Sequence, residues 1–416
     1  MPAALDTTTG EPQQATSAAA LAIHGGEPVR KQPMPPRSAL GEAEVRMIAQ
    51  ALAYYREHEA DPGYQGAFEK LYTDAFVAKM GGGHADAVAT GTAALYVALA
   101  ALALPEGSEV IVSPITDPGT ISAIVLNRLV PRLADSAPGS FNMGLEQFVE
   151  RLTPKVGAVL LVHALGQPAD IVGIAAAARA RGIRVIEDCS QAHGARVKGR
   201  PVGNFGDIAA FSTMYRKAHM SGGSGGVVYS RDLDLFRRAL AHADRGKPSW
   251  REDFDDRDPS GFLFPALNLH TDEISCAIGL ASLARLTDTV LRRLGFVAEL
   301  TGRLRDKARL CRPHGYSPSD SPFVFPILLD PDRIACGKTD FAEAVRAEGI
   351  GLNPHYRYVV ADWPWVKPHL ADGFDTPNAR AIRDRSFNLY LNENYGRQEV
   401  DDCVAAIVKV ERHFAK

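Results

Sequence analysis

The stretch Gly206–Ser230, GDIAAFSTMYRKAHMSGGSGGVVYS, sets an apolar run at Ile208–Phe211 ahead of a lysine, Lys217, and a glycine-rich turn into a second apolar run at Gly226–Tyr229. Short apolar runs bounded by turn residues predict buried strands. Working outward, the apolar run Ile183–Ile186 precedes a polar cluster, Glu187-Asp188-Cys189-Ser190-Gln191-Ala192-His193-Gly194. Further runs at Ala85–Ala89, Glu109–Val112, Leu129–Leu133 and Ala158–Val162 alternate with helical spacing at Ala93–Leu104, Gly119–Asn127, Leu145–Arg151, Ile171–Arg181 and Leu233–His242. Strand–helix alternation with strands apolar on both faces predicts an α/β fold whose mostly parallel sheet is covered by helices. In such sheets ligands bind at the carboxyl ends of the strands, and Asp188, Ser212 and Lys217 all follow strand ends.

A lysine between strand ends, with an acid at the end of a neighbouring strand, fits pyridoxal 5'-phosphate (PLP). That cofactor needs an amine to bind it as a Schiff base and a carboxylate to keep its ring nitrogen protonated. Lys217 and Asp188 are the candidates. Gln191 is placed to donate to the phenolate oxygen, and Ser212 to bind phosphate through its hydroxyl. Thr90-Gly91-Thr92-Ala93 opens a helix, where free N–H groups favour an anion; taken alone it reads as an ordinary N-cap. Asp188 and Ser212 read singly as turn formers, and His193 as a packing residue beneath the site. No Walker P-loop or GxGxxG fingerprint is present.

The 416 residues call for two or three domains. With 46% hydrophobic residues, 23% charged and a net charge of −3, nothing favours nucleic acid or an anionic membrane surface. No apolar stretch approaches the ~18 residues of a membrane helix. Five scattered cysteines without a CxxC pair predict reduced thiols in a cytoplasmic protein and no metal site. Residues 1–20 read as a disordered leader, 21–285 as a large domain with an N-terminal arm, and 286–416 as a smaller C-terminal α/β domain. The polar segment Lys247–Leu267 reads as a long, functional loop. In the C-terminal part, Phe323–Leu329 and Leu352–Arg357 read as strands, Thr339–Glu348 as a helix, and a last helix starts at Arg397. A first helix over Gly41–Tyr55 carries Val45, Ile48, Ala49 and Leu52 at helical spacing.

These residues resemble the DegT/StrS-type sugar aminotransferases, a family of fold type I PLP enzymes. The matching motifs run from Gly25-Gly26-Glu27-Pro28-Val29-Arg30 through Gly91-Thr92-Ala93-Ala94-Leu95 and His163–Asp170. They continue through Glu187–Ala195, Phe211-Ser212, Lys217 and Gly225-Gly226 to Asn268 and Ala277-Ile278-Gly279. The resemblance implies Lys217 as the Schiff-base lysine, Asp188 on the ring nitrogen, Gln191 near the phenolate, and Thr92, Ala93 and Ser212 on the phosphate. It implies Asn268 in the neighbouring subunit's phosphate site, hence a homodimer with shared sites.

Two departures concern the substrate side. An aromatic ring usually covers the cofactor where this chain reads Pro114-Ile115-Thr116-Asp117-Pro118, and the usual Asn-Tyr-Arg is Asn268-Leu269-His270. The expected activity is transfer of an amino group from glutamate or glutamine to a ketosugar or ketocyclitol, in aminosugar, aminocyclitol or antibiotic biosynthesis. Asp117, His270, His355, Tyr356 and Arg357 are the candidate substrate contacts. Sugar dehydration or deoxygenation on the same scaffold is the alternative, although family dehydratases typically carry histidine in place of the lysine. A non-catalytic regulator keeping the fold is a third reading.

Overall fold

The computed structural model describes residues 20–416, so the expected leader lies outside the described residues except for its last position. Seven strands form the main sheet: β1 (His84–Val88), β2 (Glu109–Val112), β3 (Val130–Leu133), β4 (Val156–Val162), β5 (Arg184–Asp188), β8 (Ile208–Ser212) and β9 (Gly226–Ser230). A two-residue hairpin, β6 (Arg196–Val197) and β7 (Arg200–Pro201), interrupts the run. The order is β1-β9-β8-β5-β4-β2-β3. Pairs from β8 through β3 are parallel, while β9 runs antiparallel to both β8 and β1. The antiparallel β9 starts where β8 ends, which brings Gly226 opposite Ser212.

Helices cover both faces, as apolar-on-both-sides strands require. On one face α3 (Gly91–Ala101), α4 (Pro118–Leu126) and α7 (Leu233–Ala243) bury Val97, Ile121, Ile124, Leu235 and Ala239 against the sheet. On the other lie α2 (Ala67–Met80) and α8 (Glu273–Ala284), with α5 (Leu145–Glu150) and α6 (Ile171–Arg179) beside them. Helix α1 (Glu42–Glu57) packs on α8. Its expected apolar stripe faces outward: Val45 and Leu52 are 58% and 54% exposed. A tertiary ion pair turns the helix, because Glu44 is buried against Arg285, Nε to Oε1 2.9 Å.

A second, antiparallel sheet comprises β10 (Cys311–Pro313), β11 (Val324–Leu329), β12 (Leu352–Asn353) and β13 (Ser386–Tyr390), in the order β10-β11-β13-β12. It packs on α9 (Leu286–Lys307), α10 (Lys338–Ala347) and α12 (Arg397–Phe414), with Val400, Val404, Ile407 and Val410 turned inward at helical spacing. Helix α11 (Pro377–Asp384) precedes β13. The strand expected over Leu352–Arg357 stops at Asn353, whose Oδ1 accepts the N–H groups of His355 and Tyr356 while Tyr356 adopts φ 38°. The N-terminal arm lies on this unit. Leu21 is fully buried in its core, and Glu348 accepts the N–H groups of Ala22 and Val29 at 2.9 and 3.0 Å. Helices α8 and α9 meet at a 53° bend about Arg285, and we propose this junction as the division between the two domains. No single helix among the described residues is long and apolar enough to cross a membrane.

Two buried carboxyls on α2 and β1, Glu69 and Asp86, give the fold a pH dependence. Burial, reinforced by the charge of Glu273, pushes Glu69 up to about 7, and burial with the charge of Glu69 holds Asp86 well above the carboxylate range. Both are held protonated in the fold; the Glu69 contribution is complete below the unfolded carboxyl value and is lost as pH rises through about 7. Urea unfolding is therefore expected to show about 2 kcal/mol less stability at pH 8 than at pH 5.5 from Glu69 alone, with Asp86 adding to the loss. Asp86→Asn should flatten that slope. An unchanged slope in the variant would refute the assignment.

Candidate active site

Loops at the carboxyl edge of the main sheet bring the candidates together. Asp188, the last residue of β5, is buried; its Oδ1 accepts the Ser190 N–H at 3.0 Å and its Oδ2 the Thr120 hydroxyl at 3.3 Å. Two donors hold one orientation of the carboxylate. Thr120 comes from α4 and is braced by Thr116, 2.7 Å away.

At the end of β8, Ser212 abuts the start of α3. A Cβ on Gly91 would collide with the Ser212 side chain, and one on Gly226 with the Thr90 carbonyl. The glycines thus let three chain segments close on one spot. Thr90 caps α3 by accepting the Ala93 N–H at 2.8 Å, so Ala93 already has a partner while the N–H groups of Gly91 and Thr92 show none. A helix N-terminus with free donors next to a hydroxyl is suited to a phosphate.

Lys217 sits in the turn between β8 and β9, its N–H bonded to the Met214 carbonyl at 2.9 Å. The ammonium lies 4.6 Å from the centre of the Phe323 ring. Burial pushes Lys217 below the usual lysine range; the charges of Asp188 and Asp117 act in the opposite direction. The turn is held from three sides. Thr213 and Ser221 hydroxyls bond at 2.6 Å, and Gly225, at φ 149°, leaves no room for a side chain beside them. From the arm, Arg37 donates to the carbonyls of Tyr215 and Ala218 at 2.8 and 3.1 Å and pairs with Glu393 at 2.9 Å. Glu393 also holds the buried Arg293 at 2.9 Å.

Gln191 accepts the Leu165 N–H through Oε1 at 2.7 Å, which leaves its amide hydrogens to donate. His193 donates Nε2–H to the Ser212 carbonyl at 2.8 Å, and burial pushes it down to about 4, so it is a neutral brace under Ser212. His219, two residues after the lysine, is fully buried with Nε2 2.6 Å from the Tyr72 hydroxyl.

Next to this centre, His163, Glu187 and Cys189 lie within 4.8 Å of one another. Their atoms are engaged: His163 Nδ1 accepts the Ala169 N–H, His163 Nε2–H donates to Glu187 at 3.1 Å, and Glu187 accepts the N–H groups of Gly203, Phe205 and Gly206. Glu187→Ala would orphan all of these donors, and a loss of about 3 kcal/mol in urea-unfolding free energy is expected. A loss under about 1 kcal/mol would show that the network is not structural.

The expected substrate residues separate. Asp117 caps α4 by accepting the Gly119 N–H at 2.9 Å and keeps its charge within reach of Lys217. His355 and Arg357 line a cavity of about 380 Å³ with Tyr358, Trp363 and Trp365. Tyr356 borders the same cavity but is largely buried, its ring 6.1 Å from Phe141. His270 does not belong to that group. Its side chain is 1% exposed, paired with Asp244 at 3.0 Å and stacked on Tyr64 at 4.4 Å. Asn268 lies on an exposed edge beside it, Nδ2 3.3 Å from the Tyr64 hydroxyl. The sequence reading missed Thr120, Arg37, Glu393, Phe323 and the two tryptophans; only Trp363-Pro364-Trp365 carries a visible signal, as paired aromatics in a loop.

The sequence profile of the DegT/DnrJ/EryC1/StrS aminotransferase family matches residues 50–408. The chain belongs to that family. A Streptoalloteichus tenebrarius protein named as a putative L-glutamine:3-amino-2,3-dideoxy-scyllo-inosose aminotransferase is 28% identical over 94% of this chain and 98% of its own. GDP-perosamine synthase of Escherichia coli O157:H7 is 35% identical over 50% of this chain and 56% of its own. The crystal structure of an aminotransferase from Psychrobacter cryohalolentis, 25% identical, superimposes with a TM-score of 0.83 over 92% of this chain and all of that one. This DegT/DnrJ/EryC1/StrS chain therefore has the fold type I architecture: a mostly parallel sheet between helices, plus a smaller C-terminal unit. PLP use goes with that family and fold.

Proposed function

We propose that this protein is a PLP-dependent aminotransferase that moves an amino group from glutamate or glutamine to a ketosugar or ketocyclitol. The observation that supports this reading is that the charge of Asp188 acts on Lys217 while the same turn after β5, which carries Gln191, bonds through Ser190 to Ser212 at the open N-terminus of α3. Lys217, Asp188, Gln191 and the α3 N-terminus with Ser212 fit the cofactor's amine-reactive carbon, ring nitrogen, phenolate and phosphate respectively. When bound, PLP supplies an electron sink for the carbon that exchanges its proton.

The residues do the rest. Gly91 and Thr92 N–H groups and the Ser212 hydroxyl bind phosphate. Asp188, fixed by Thr120 and Ser190, accepts a hydrogen bond from the ring nitrogen and keeps it protonated. Lys217, pushed down by burial, takes a proton at Nζ from one side of the reacting carbon and returns it, with the Arg37 clamp keeping the loop in place. Asp117 stands at the open side of the site. His219 is committed to Tyr72, which disfavours dehydration with histidine in the lysine's role.

A homodimer is part of the proposal, supported by the outward apolar side chains Val45 and Leu52, and by Asn268 on an exposed edge where a partner's site can use it. A monomer at micromolar concentration in sedimentation velocity would contradict it. Free cysteines among the described residues support a cytoplasmic location.

The test is a half-reaction. Purified protein loaded with PLP should release one keto acid per site from glutamine or glutamate and lose its visible absorption band. If no amino donor in a panel does this, the reading is wrong.

A further inference from the structure

Two groups from outside the main sheet hold Lys217. Arg37 of the N-terminal arm donates to the Tyr215 and Ala218 carbonyls on either side of it at 2.8 and 3.1 Å, and the Phe323 ring centre lies 4.6 Å from the ammonium. Both lead back to one carboxylate, Glu393, in the loop between β13 and α12. Its Oε1 accepts the Arg37 Nε–H at 2.9 Å. Its Oε2 accepts from Arg293 Nη2 at 2.9 Å, and the same guanidinium donates through Nη1 to the Pro322 carbonyl at 3.5 Å, one residue before Phe323.

The neighbours of Glu393 grip the arm itself. Asn392 Nδ2 donates to the Pro35 carbonyl at 2.8 Å, and Asn394 Nδ2 to the Pro36 and Arg37 carbonyls at 2.8 and 3.0 Å. Proline offers no N–H, so this stretch of the arm is fixed through its carbonyls, and two asparagine amides supply the donors. Asn392 Oδ1 also accepts the Asn394 N–H at 2.8 Å, which gathers the three side chains on one turn.

The ion pairs are withdrawn from water: the Arg293 side chain is 1% exposed and that of Glu393 10%. Burial pushes Glu393 up, but the charges of Arg293 and Arg37 outweigh it and hold the carboxyl below the usual carboxylate range. A further guanidinium, Arg285, stands 3.9 Å from Oε1 and is turned to Glu44. Buried ions seldom stabilise a fold more than apolar packing of the same shape. What they add here is direction, because a guanidinium fork fixes both the distance and the plane of its partner. Direction matters at a reacting nitrogen, where a misplacement of about 1 Å can slow a reaction by about 10²-fold.

Resting on the aminotransferase reading, we infer that Glu393 is a positioning residue for that reaction: through Arg37 and through Arg293 it ties the Lys217 turn to the C-terminal unit and sets where the reacting nitrogen stands. Glu393 itself bonds to neither Lys217 nor Phe323.

The test uses the PLP-loaded full chain, the donor half-reaction with glutamate and with glutamine, and hydrogen exchange read by mass spectrometry. Glu393→Gln keeps the shape and removes the charge. Its half-reaction rate constant should fall about tenfold, with the half-saturating donor concentration within about twofold of wild type. The loss in the double variant with Arg37→Ala should fall short of the product of the two single losses by about threefold or more, because both act on one turn. The amides of Lys217 and Ser221, bonded to the Met214 and Thr213 carbonyls, should exchange about fivefold faster or more, while β4 and β5 keep their wild-type rates. Asn394→Ala frees only the Pro36 and Arg37 carbonyls and leaves every ion pair standing, so it reads the same relay where the neutralised variant does not fold. A reaction about threefold slower, with faster exchange confined to the turn, is expected of it. Wild-type rates in both variants, single losses that simply multiply, or exchange that rises equally in the strands would overturn the inference. If the unsubstituted protein reacts while the variants match it, only the role of Glu393 falls; if it reacts with no donor, the aminotransferase reading falls with it.

Discussion

Lys217→Ala is expected to bring release of keto acid from the amino donor down by about 10⁴-fold or more, because both covalent attachment and proton movement pass through one nitrogen. The side chain is not a strut for the fold. The turn that carries it is held by Thr213–Ser221, by Gly225 and by Arg37, none of which bonds to the ammonium. Removing this half-buried amine should leave the unfolding free energy within about 1 kcal/mol of the wild-type value. The variant should still take up PLP on the Gly91–Thr92 and Ser212 cradle, in a form that gel filtration removes. A variant that keeps more than a hundredth of the wild-type rate would place the reacting amine elsewhere.

The second large effect is at Asp188. Asp188→Asn preserves shape, and the amide oxygen still accepts from Ser190, but no negative charge remains to hold a proton on the ring nitrogen. The donor half-reaction should slow by about 10³-fold, in the range seen when one electrostatic partner of a reacting centre is removed. Covalent attachment at Lys217 should persist, which distinguishes this variant from Lys217→Ala. Thr120→Val, which removes only the bond that orients the carboxylate, should slow the reaction far less. Equal losses in the two variants would make orientation, and not charge, the role of Asp188.

The core of this arrangement is legible in the sequence because it is local. Strand ends are marked by a switch from apolar runs to polar residues, so Asp188, Ser212 and Lys217 can be placed on one edge before any contact is known. Helices α5 and α6 start at Leu145 and Ile171, where the sequence pattern places them. Long-range pairing leaves no such trace. Arg37 lies in a proline-rich arm 178 and 181 positions from the carbonyls it clamps, and Glu44 turns α1 through an ion pair with Arg285 that helical spacing does not encode. His270 reads as a polar residue near the mouth, yet Asp244 and Tyr64 withdraw it. Strand β13 was hidden in the mixed Ser-Phe-Asn-Leu-Tyr, whose pairing with β11 and β12 supplies the order its composition does not. What local chemistry specifies is the cofactor side; what distant pairing specifies is the substrate side.

The central claim is that PLP is held covalently by Lys217. Borohydride reduction of the PLP-loaded protein, followed by proteolysis and mass spectrometry, tests it without any knowledge of the acceptor. A single phosphopyridoxyl-modified peptide bearing the label on Lys217 is the expected result. A label on another lysine, such as the half-buried and downward-shifted Lys338, or no label at all, would contradict the account.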